Sequence, residues 1–212
     1  NLMLFPSVKL AFCGIPKVGI TGWRQFQRFA VLGAKDYQSL PHYKLDIHKY
    51  SFTYLDPILQ KEILVGSSWT KAVFFRDPAE RLLSAYLDKV QRRPWRMIKG
   101  WKEDTPMNFE QFITVLETPL SEINCTVPFI RNTDDNKQAW GLTWCTDPHW
   151  MPQAWSCGIS ELFPHFHFVG HFDDMAAQTK LLLQEVDLWE SHGKHYRIDK
   201  STKGQICNKH PP

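Results

Sequence analysis

The stretch Cys13-Gly14-Ile15-Pro16-Lys17-Val18-Gly19-Ile20-Thr21-Gly22-Trp23-Arg24 decides how this chain folds. Val8 to Cys13, leading into it, alternates in the manner of a strand, with Val8, Leu10 and Phe12 on one face. From Thr21 the period changes. Trp23, Phe26 and the Phe29-Ala30 pair recur at helical spacing, and Gly33 marks the stop. A strand, a glycine-bearing loop and a helix start make an anion site by geometry, because free backbone N–H groups converge there and the helix dipole adds positive potential. Gly19 and Gly22 allow close backbone approach, Lys17 adds a compact charge and Thr21 a hydroxyl. The lysine precedes the glycines and Gly-x-x-x-x-Gly-Lys-Ser/Thr is absent, so this is not a Walker A loop and an ordinary NTPase is disfavoured. The plainer reading of the segment alone is a strand-to-helix turn with a surface lysine.

A second stretch, Phe74-Phe75-Arg76-Asp77-Pro78-Ala79-Glu80-Arg81-Leu82-Leu83-Ser84-Ala85-Tyr86-Leu87-Asp88-Lys89, repeats the strand-to-helix pattern. Lys71 to Phe75 reads as a strand, and Arg76 stands at its carboxyl end, where open α/β sheets place their ligands. Asp77 is a cap, Pro78 the first helical residue, and Glu80 completes the start signal. The helix should run to about Val90 with Leu82, Leu83, Tyr86, Leu87 and Val90 facing the core. Ser84 lies about two turns in. A guanidinium and a hydroxyl from these positions can share one phosphate, and Arg suits bidentate oxyanion binding. Together the two stretches suit the two ends of a doubly phosphorylated nucleotide.

The remaining elements are a short helix over Pro57 to Val65, a helix over Phe109 to Leu116, a third strand over Phe166 to Val169 with Gly170 at its end, and an amphipathic helix over Asp173 to Trp189. Residues 118–160, rich in Pro, Trp and Asn, read as a long functional loop region, and the tail after Ser191 as polar and unplaced. Strands alternating with helices predict an α/β fold with a mostly parallel sheet, in a single domain over residues 1–212.

At 212 residues the chain can bury a sizeable core, and 43% hydrophobic with 22% charged residues is an ordinary globular balance. A net charge of +3 is too mild to argue for nucleic acid. No stretch approaches the roughly 18 apolar residues of a membrane span. The sequence begins at Asn1, not methionine, and reads as a catalytic piece of a longer protein, which would meet a membrane only through an N-terminal anchor outside this stretch, if it has one. Five cysteines is an odd count. Cys145 and Cys157, close in a loop-like segment, are the expected disulfide, a ring contributing about 3 kcal/mol. Asn124-Cys125-Thr126 is a glycosylation sequon. Both features lean towards a secretory compartment.

Ile15-Pro16-Lys17-Val18-Gly19 with Thr21 and Trp23 resembles the 5′-phosphosulfate loop of Golgi carbohydrate sulfotransferases, especially the chondroitin/dermatan 4-O type of sulfotransferase family 2. Arg76-Asp77-Pro78, Glu80-Arg81-Leu82 and Ser84-Ala85 resemble the same family's 3′-phosphate segment. His149-Trp150, Pro152-Gln153, Cys157 and Phe168-Val169-Gly170 make a third match in the right order. The chain departs from the pattern at Gly19-Ile20, where the family usually has Ala-Cys, at Gly22, where an asparagine often stands, and at Asp77, where a histidine often follows the arginine. The resemblance is to a distant branch.

It implies a P-loop-NTPase-like three-layer fold and the sulfuryl donor 3′-phosphoadenosine 5′-phosphosulfate (PAPS, product PAP). In that reading Pro16 to Trp23 (Pro16, Lys17, Val18, Gly19, Ile20, Thr21, Gly22 and Trp23) hold the 5′ end, with Lys17 catalytic at the leaving oxygen. Arg76 and Ser84 hold the 3′-phosphate. Lys203 before Gly204 resembles a late loop covering that phosphate, a flexible tail being the alternative. His149 is the expected general base, with His42 and His48 as alternatives among nine histidines. A zinc site from Cys145, His149 and Cys157 lacks a fourth ligand, and no metal is expected.

Lys89, Arg92, Arg93, Arg96, Lys99 and Lys102 form a basic run with Trp95 and Trp101 interleaved. Arg93, Trp95, Arg96 and Trp150 are the expected acceptor contacts, since aromatic faces suit sugar rings and cations suit carboxylate or sulfate groups. The resulting expectation is an enzyme of the Golgi lumen, from a type II membrane glycoprotein, acting on an acidic polysaccharide and not on nucleic acid. The competing readings are a sulfotransferase for a small hydroxylated metabolite and an inactive nucleotide- or glycan-binding module.

Overall fold

The computed structural model describes residues 2–33, 52–92, 107–117, 129–130, 139–140 and 147–196. In chain order the strands and α-helices are β1 (Leu2–Phe5), β2 (Leu10–Cys13), α1 (Ile20–Leu32), α2 (Pro57–Val65), β3 (Thr70–Phe75), α3 (Pro78–Ala85), α4 (Phe109–Glu117), β4 (Phe129–Ile130), β5 (Ala139–Trp140), α5 (Ile159–Leu162), β6 (Phe168–His171), α6 (Met175–Glu185) and α7 (Lys194–Tyr196). The chain divides into two compact units, Asn1–Arg76 with Gln153–Pro212, and Asp77–Pro152. Among the described residues no helix is long and apolar enough to cross a membrane.

The first unit is built on a sheet of order β1-β2-β3-β6. β1 runs antiparallel to β2, and β2-β3 and β3-β6 are parallel. Parallel neighbours need a crossover, and α1 and α2 lie in the segment between β2 and β3. Strand alternation then sends residues to opposite faces. Leu10 and Phe12 join a core with Trp23 and Phe26 of α1 and Leu182 and Leu183 of α6. Leu4 and Ala11 meet Ile63 of α2 and Trp69 on the other side. Helices on both faces give the expected three layers and the α/β class.

Local signals explain the boundaries. Asp56 caps α2 by accepting the Ile58 N–H at 2.8 Å, with Pro57 as first helical residue. Gly33 ends α1 in the left-handed region, its N–H bonded to the Phe29 carbonyl. β2 starts at Leu10 rather than Val8, because Pro6–Val8 form a 3₁₀ turn closed by a left-handed Lys9. β6 runs to His171, and α6 begins at Met175 and ends at Glu185, a wider turn following over Trp189–Gly193. Part of the tail after Ser191 has a firm place. Tyr196 is buried in the core and its hydroxyl donates to the Gly22 carbonyl at 2.9 Å.

Cys157 is bonded to Cys13, with the two Cα atoms 6.0 Å apart, so the expected Cys145–Cys157 pair is corrected. Sequence proximity favoured Cys145. The sheet instead ends β2 beside the segment that carries Cys157, and a disulfide needs nearness in space. With its sulfur in that bond, Cys157 has no thiolate to offer a metal.

In the second unit Asp77 accepts the Glu80 N–H at 2.9 Å and starts α3, which continues over Tyr86–Gln91 as a wider π-type turn. α4 opens with a reciprocal capping box. The Gln111 N–H donates to Asn108 Oδ1 and the Asn108 N–H to Gln111 Oε1, each at 2.8 Å. Ala85, Tyr86, Val90, Met107, Phe112 and Trp150 form its core. Leu83, expected in that core, is 43% exposed, because the apolar stripe of α3 runs through Leu82 and Ala85 instead. β4 and β5 pair antiparallel.

Candidate functional site

The register of the first unit brings three carboxyl ends to one sheet edge. Cys13 pairs with Val73, and Val73 pairs with Val169. The loop 14–19, Arg76 and Phe172 all leave that edge, the ligand edge of open α/β sheets. The loop is tightly made. The Val18 N–H donates to the Ile15 carbonyl at 3.1 Å, and Lys17 takes a left-handed backbone at φ 69°, unusual for a non-glycine residue. Gly19 caps α1 at φ 72° and contributes no side-chain hydrogen bond. The next backbone bond is Trp23 N–H to Gly19 C=O at 3.3 Å. Ile20, Thr21 and Gly22 therefore hold the first-turn amides that helix geometry leaves without intrahelical partners. A Cβ at Gly19 would lie 2.8 Å from Met175 Cε, the movable end of a flexible side chain, so it is the left-handed torsion that calls for glycine there.

Arg76 reaches into this loop. Its Nη1 donates to the Lys17 carbonyl at 3.3 Å, and its guanidinium carbon lies 4.5 Å from the centre of the Phe172 ring. Gln153 holds its backbone on both sides. Gln153 Nε2 donates to the Arg76 carbonyl at 2.8 Å, and Oε1 accepts the Arg76 N–H at 3.1 Å. Two residues expected at opposite ends of a nucleotide, Lys17 and Arg76, are thus directly linked. First-turn amides, a lysine-bearing loop and a guanidinium form a donor set that fits a phosphate- or sulfate-bearing anion.

Other expected residues fall differently. Trp23 is 3% exposed and stacked on Phe12 at 3.8 Å between ring centres, so it anchors α1 in the core and offers no ligand face. Pro16 and Val18 are also buried, and the Val18 amide is taken by the turn. Trp150 is 9% exposed and packs edge-on against Phe112 at 5.5 Å, a core position rather than a sugar platform. Ser84 sits half-buried on α3 in the second unit. His42, His48, Arg93, Trp95, Arg96, Asn124, Cys145 and Lys203 lie outside the described residues.

The second unit presents His149 in a short turn. Asp147 Oδ1 accepts the His149 backbone N–H at 2.8 Å and lies 2.6 Å from His149 Nδ1. The Trp150 and Met151 N–H groups both donate to the Asp147 carbonyl. Arg81, 4% exposed, donates from Nη2 to the Pro148 carbonyl at 2.8 Å and from Nη1 to the Met151 carbonyl at 2.9 Å, bracketing His149 and Trp150. Burial pushes the Arg81 guanidinium down to about 10, with the nearby Asp147 charge opposing, so it stays cationic at neutral pH. Asp147, Arg81, Gln153 and Phe172 were not singled out in the sequence as site residues. The Asp-x-His spacing was the available signal for Asp147.

The Sulfotransferase family model matches residues 1–209, and the chain belongs to that family. It is similar to carbohydrate sulfotransferase 9 of Homo sapiens, 33% identical over 84 residues that cover 39% of this chain and 19% of the relative. It is also similar to the putative sulfotransferase vep-2 of Caenorhabditis elegans, 25% identical over 122 residues, 58% of this chain and 34% of the relative. The matched stretches thus span about a fifth and a third of these relatives' own lengths. No solved structure matches.

Proposed function

We propose that this chain moves a sulfuryl group from PAPS to a hydroxyl of a carbohydrate. The observation that carries the reading is the meeting, at one sheet edge, of the open first turn of α1, the Lys17 loop and Arg76. The family membership supports a sulfotransferase, and the likeness to a carbohydrate sulfotransferase supports the acceptor class. The donor supplies an activated sulfur on a phosphate leaving group. The amides of Ile20 to Gly22 hold its 5′ end, and the Lys17 ammonium stabilises negative charge as it develops on the leaving oxygen. Arg76, with Ser84, takes the 3′-phosphate, and His149 receives the acceptor proton. The basic run with Arg93, Trp95 and Arg96 is the proposed acceptor surface, suited to an acidic polysaccharide. The Cys13–Cys157 bond supports an oxidising compartment, consistent with the Golgi lumen.

The test is direct. Radiolabelled sulfate should pass from the donor to at least one of a panel of polysaccharides, and calorimetry should register binding of adenosine 3′,5′-bisphosphate. Folded protein that gives neither heat nor transfer refutes the reading.

A further inference from the structure

The turn that carries His149 is more elaborate than exposure of a base requires. One Asp147 oxygen serves both the backbone and the ring of the same residue, at 2.8 Å and 2.6 Å. Asp147 is buried, whereas the His149 side chain keeps 27% of its surface exposed. Serving the backbone alone would make an ordinary Asx turn. The contact to Nδ1 is additional, and it has a chemical consequence. An ionised carboxylate only accepts, so the proton of a neutral imidazole paired with it sits on Nδ1. The lone pair is then on Nε2. The turn itself is pinned at both sides by the Arg81 guanidinium and from below by Trp150 in the core.

Resting on His149 as the base of the proposed transfer, we propose that Asp147 is its positioning residue, fixing the ring tautomer and orientation while Arg81 holds the turn that carries both. In the reaction the acceptor hydroxyl gives its proton to Nε2 as its oxygen forms the new bond to sulfur. The old bond from sulfur to phosphate oxygen breaks, and its electron pair leaves on the bisphosphate. His149 becomes an imidazolium. The Asp147 carboxylate, still ionised, stabilises that cation across the short Nδ1 contact. Asp147 touches neither substrate nor donor in this scheme.

The deciding experiment is a ¹⁵N–¹H spectrum of histidine-labelled protein, with His149→Ala used to assign the signal. The wild type should show His149 as the Nδ1–H tautomer. Asp147→Ala removes the acceptor of Nδ1–H and should shift His149 towards a mixed or Nε2–H population. Asp147→Asn provides a second variant, which retains the oxygen for both N–H groups and removes only the negative charge that would stabilise the imidazolium. Kinetically, Asp147→Asn should lower kcat by about 10²- to 10⁴-fold, with acceptor KM and bisphosphate affinity unchanged. The double variant with His149→Ala should be no worse than His149→Ala alone. An Nδ1–H signal that persists in Asp147→Ala, or an Nε2–H tautomer in the wild type, overturns the proposal. The spectrum needs no donor or acceptor, so its outcome stands apart from the calorimetric and transfer tests of the function itself.

Discussion

The side-chain amide of Gln153 pairs with the main chain of Arg76 in both directions, giving to its carbonyl and taking its N–H. Gln153 thus acts as a one-residue strand laid against the end of β3, and it fixes where the guanidinium begins. Two such bonds contribute about 1 kcal/mol each. Gln153→Ala should weaken adenosine 3′,5′-bisphosphate binding about 10-fold while the protein stays folded. Calorimetry with wild-type affinity in this variant would show that Arg76 does not depend on the clamp.

Arg76 itself makes contacts that need a planar fork. It donates to the Lys17 carbonyl and lies over Phe172. Arg76→Lys keeps the charge and loses the fork and the stacking. We expect it to lower bisphosphate affinity by about 10- to 100-fold, the scale of one or two charge-assisted hydrogen bonds. Titration at low ionic strength measures this, and full rescue by lysine would reduce the role of Arg76 to a point charge.

Gly19→Ala tests the loop. The left-handed torsion costs an L-residue about 1–2 kcal/mol, and the added methyl presses on the flexible end of Met175. Urea unfolding should show a loss of that size. A variant as stable as wild type would mean that the loop relaxes away from this geometry.

The disulfide gives a larger effect. Cys13 and Cys157 are separated by 144 positions, and removing a native cross-link of this kind costs about 2–5 kcal/mol. The Cys13→Ser and Cys157→Ser variants should each fall by that amount in denaturant unfolding. Non-reducing peptide mapping should recover a Cys13–Cys157 peptide. A recovered Cys145–Cys157 peptide would contradict the fold described.

Stability should also depend on pH through His167. Its Nδ1 accepts the Lys71 N–H at 3.0 Å, which requires the neutral ring. Desolvation of the ring, then the Lys71 cation, hold its folded-state value below the ordinary 6.5. Between that lowered value and 6.5 the unfolded chain binds more protons than the folded one, so stability rises with pH there. The contribution is complete above 6.5 and is lost as pH falls through the window. His167→Gln should flatten this part of the unfolding-versus-pH curve, and an unchanged slope would assign it to other groups.

Much of the fold was legible because local signals and burial agree. Asp56-Pro57 and Asp77-Pro78 start helices where the cap chemistry says they must, and the alternation of Leu10, Ala11 and Phe12 sorts residues to two faces. β1 was not legible. Leu2 to Phe5 is a uniformly apolar run with no alternation, and it is a strand only because β2 lies beside it. The site was half legible. The loop and Arg76 announce themselves by residue type, but their link is a long-range contact set by parallel register. Trp150, expected at the acceptor, and Trp23, expected at the donor's 5′ end, both pack inward. An aromatic ring looks alike in a sequence whether it packs inward or faces a sugar, and only tertiary packing separates the two.

The sulfur–sulfur link has a practical corollary. Cys13 immediately precedes the anion loop and Cys157 follows Gln153 by four positions, so one covalent tie spans both halves of the Lys17–Arg76 arrangement. Recombinant protein made in a reducing cytosol would lack that tie. Expression in a bacterial periplasm or a eukaryotic secretory host is therefore the sounder source of material for donor-binding assays.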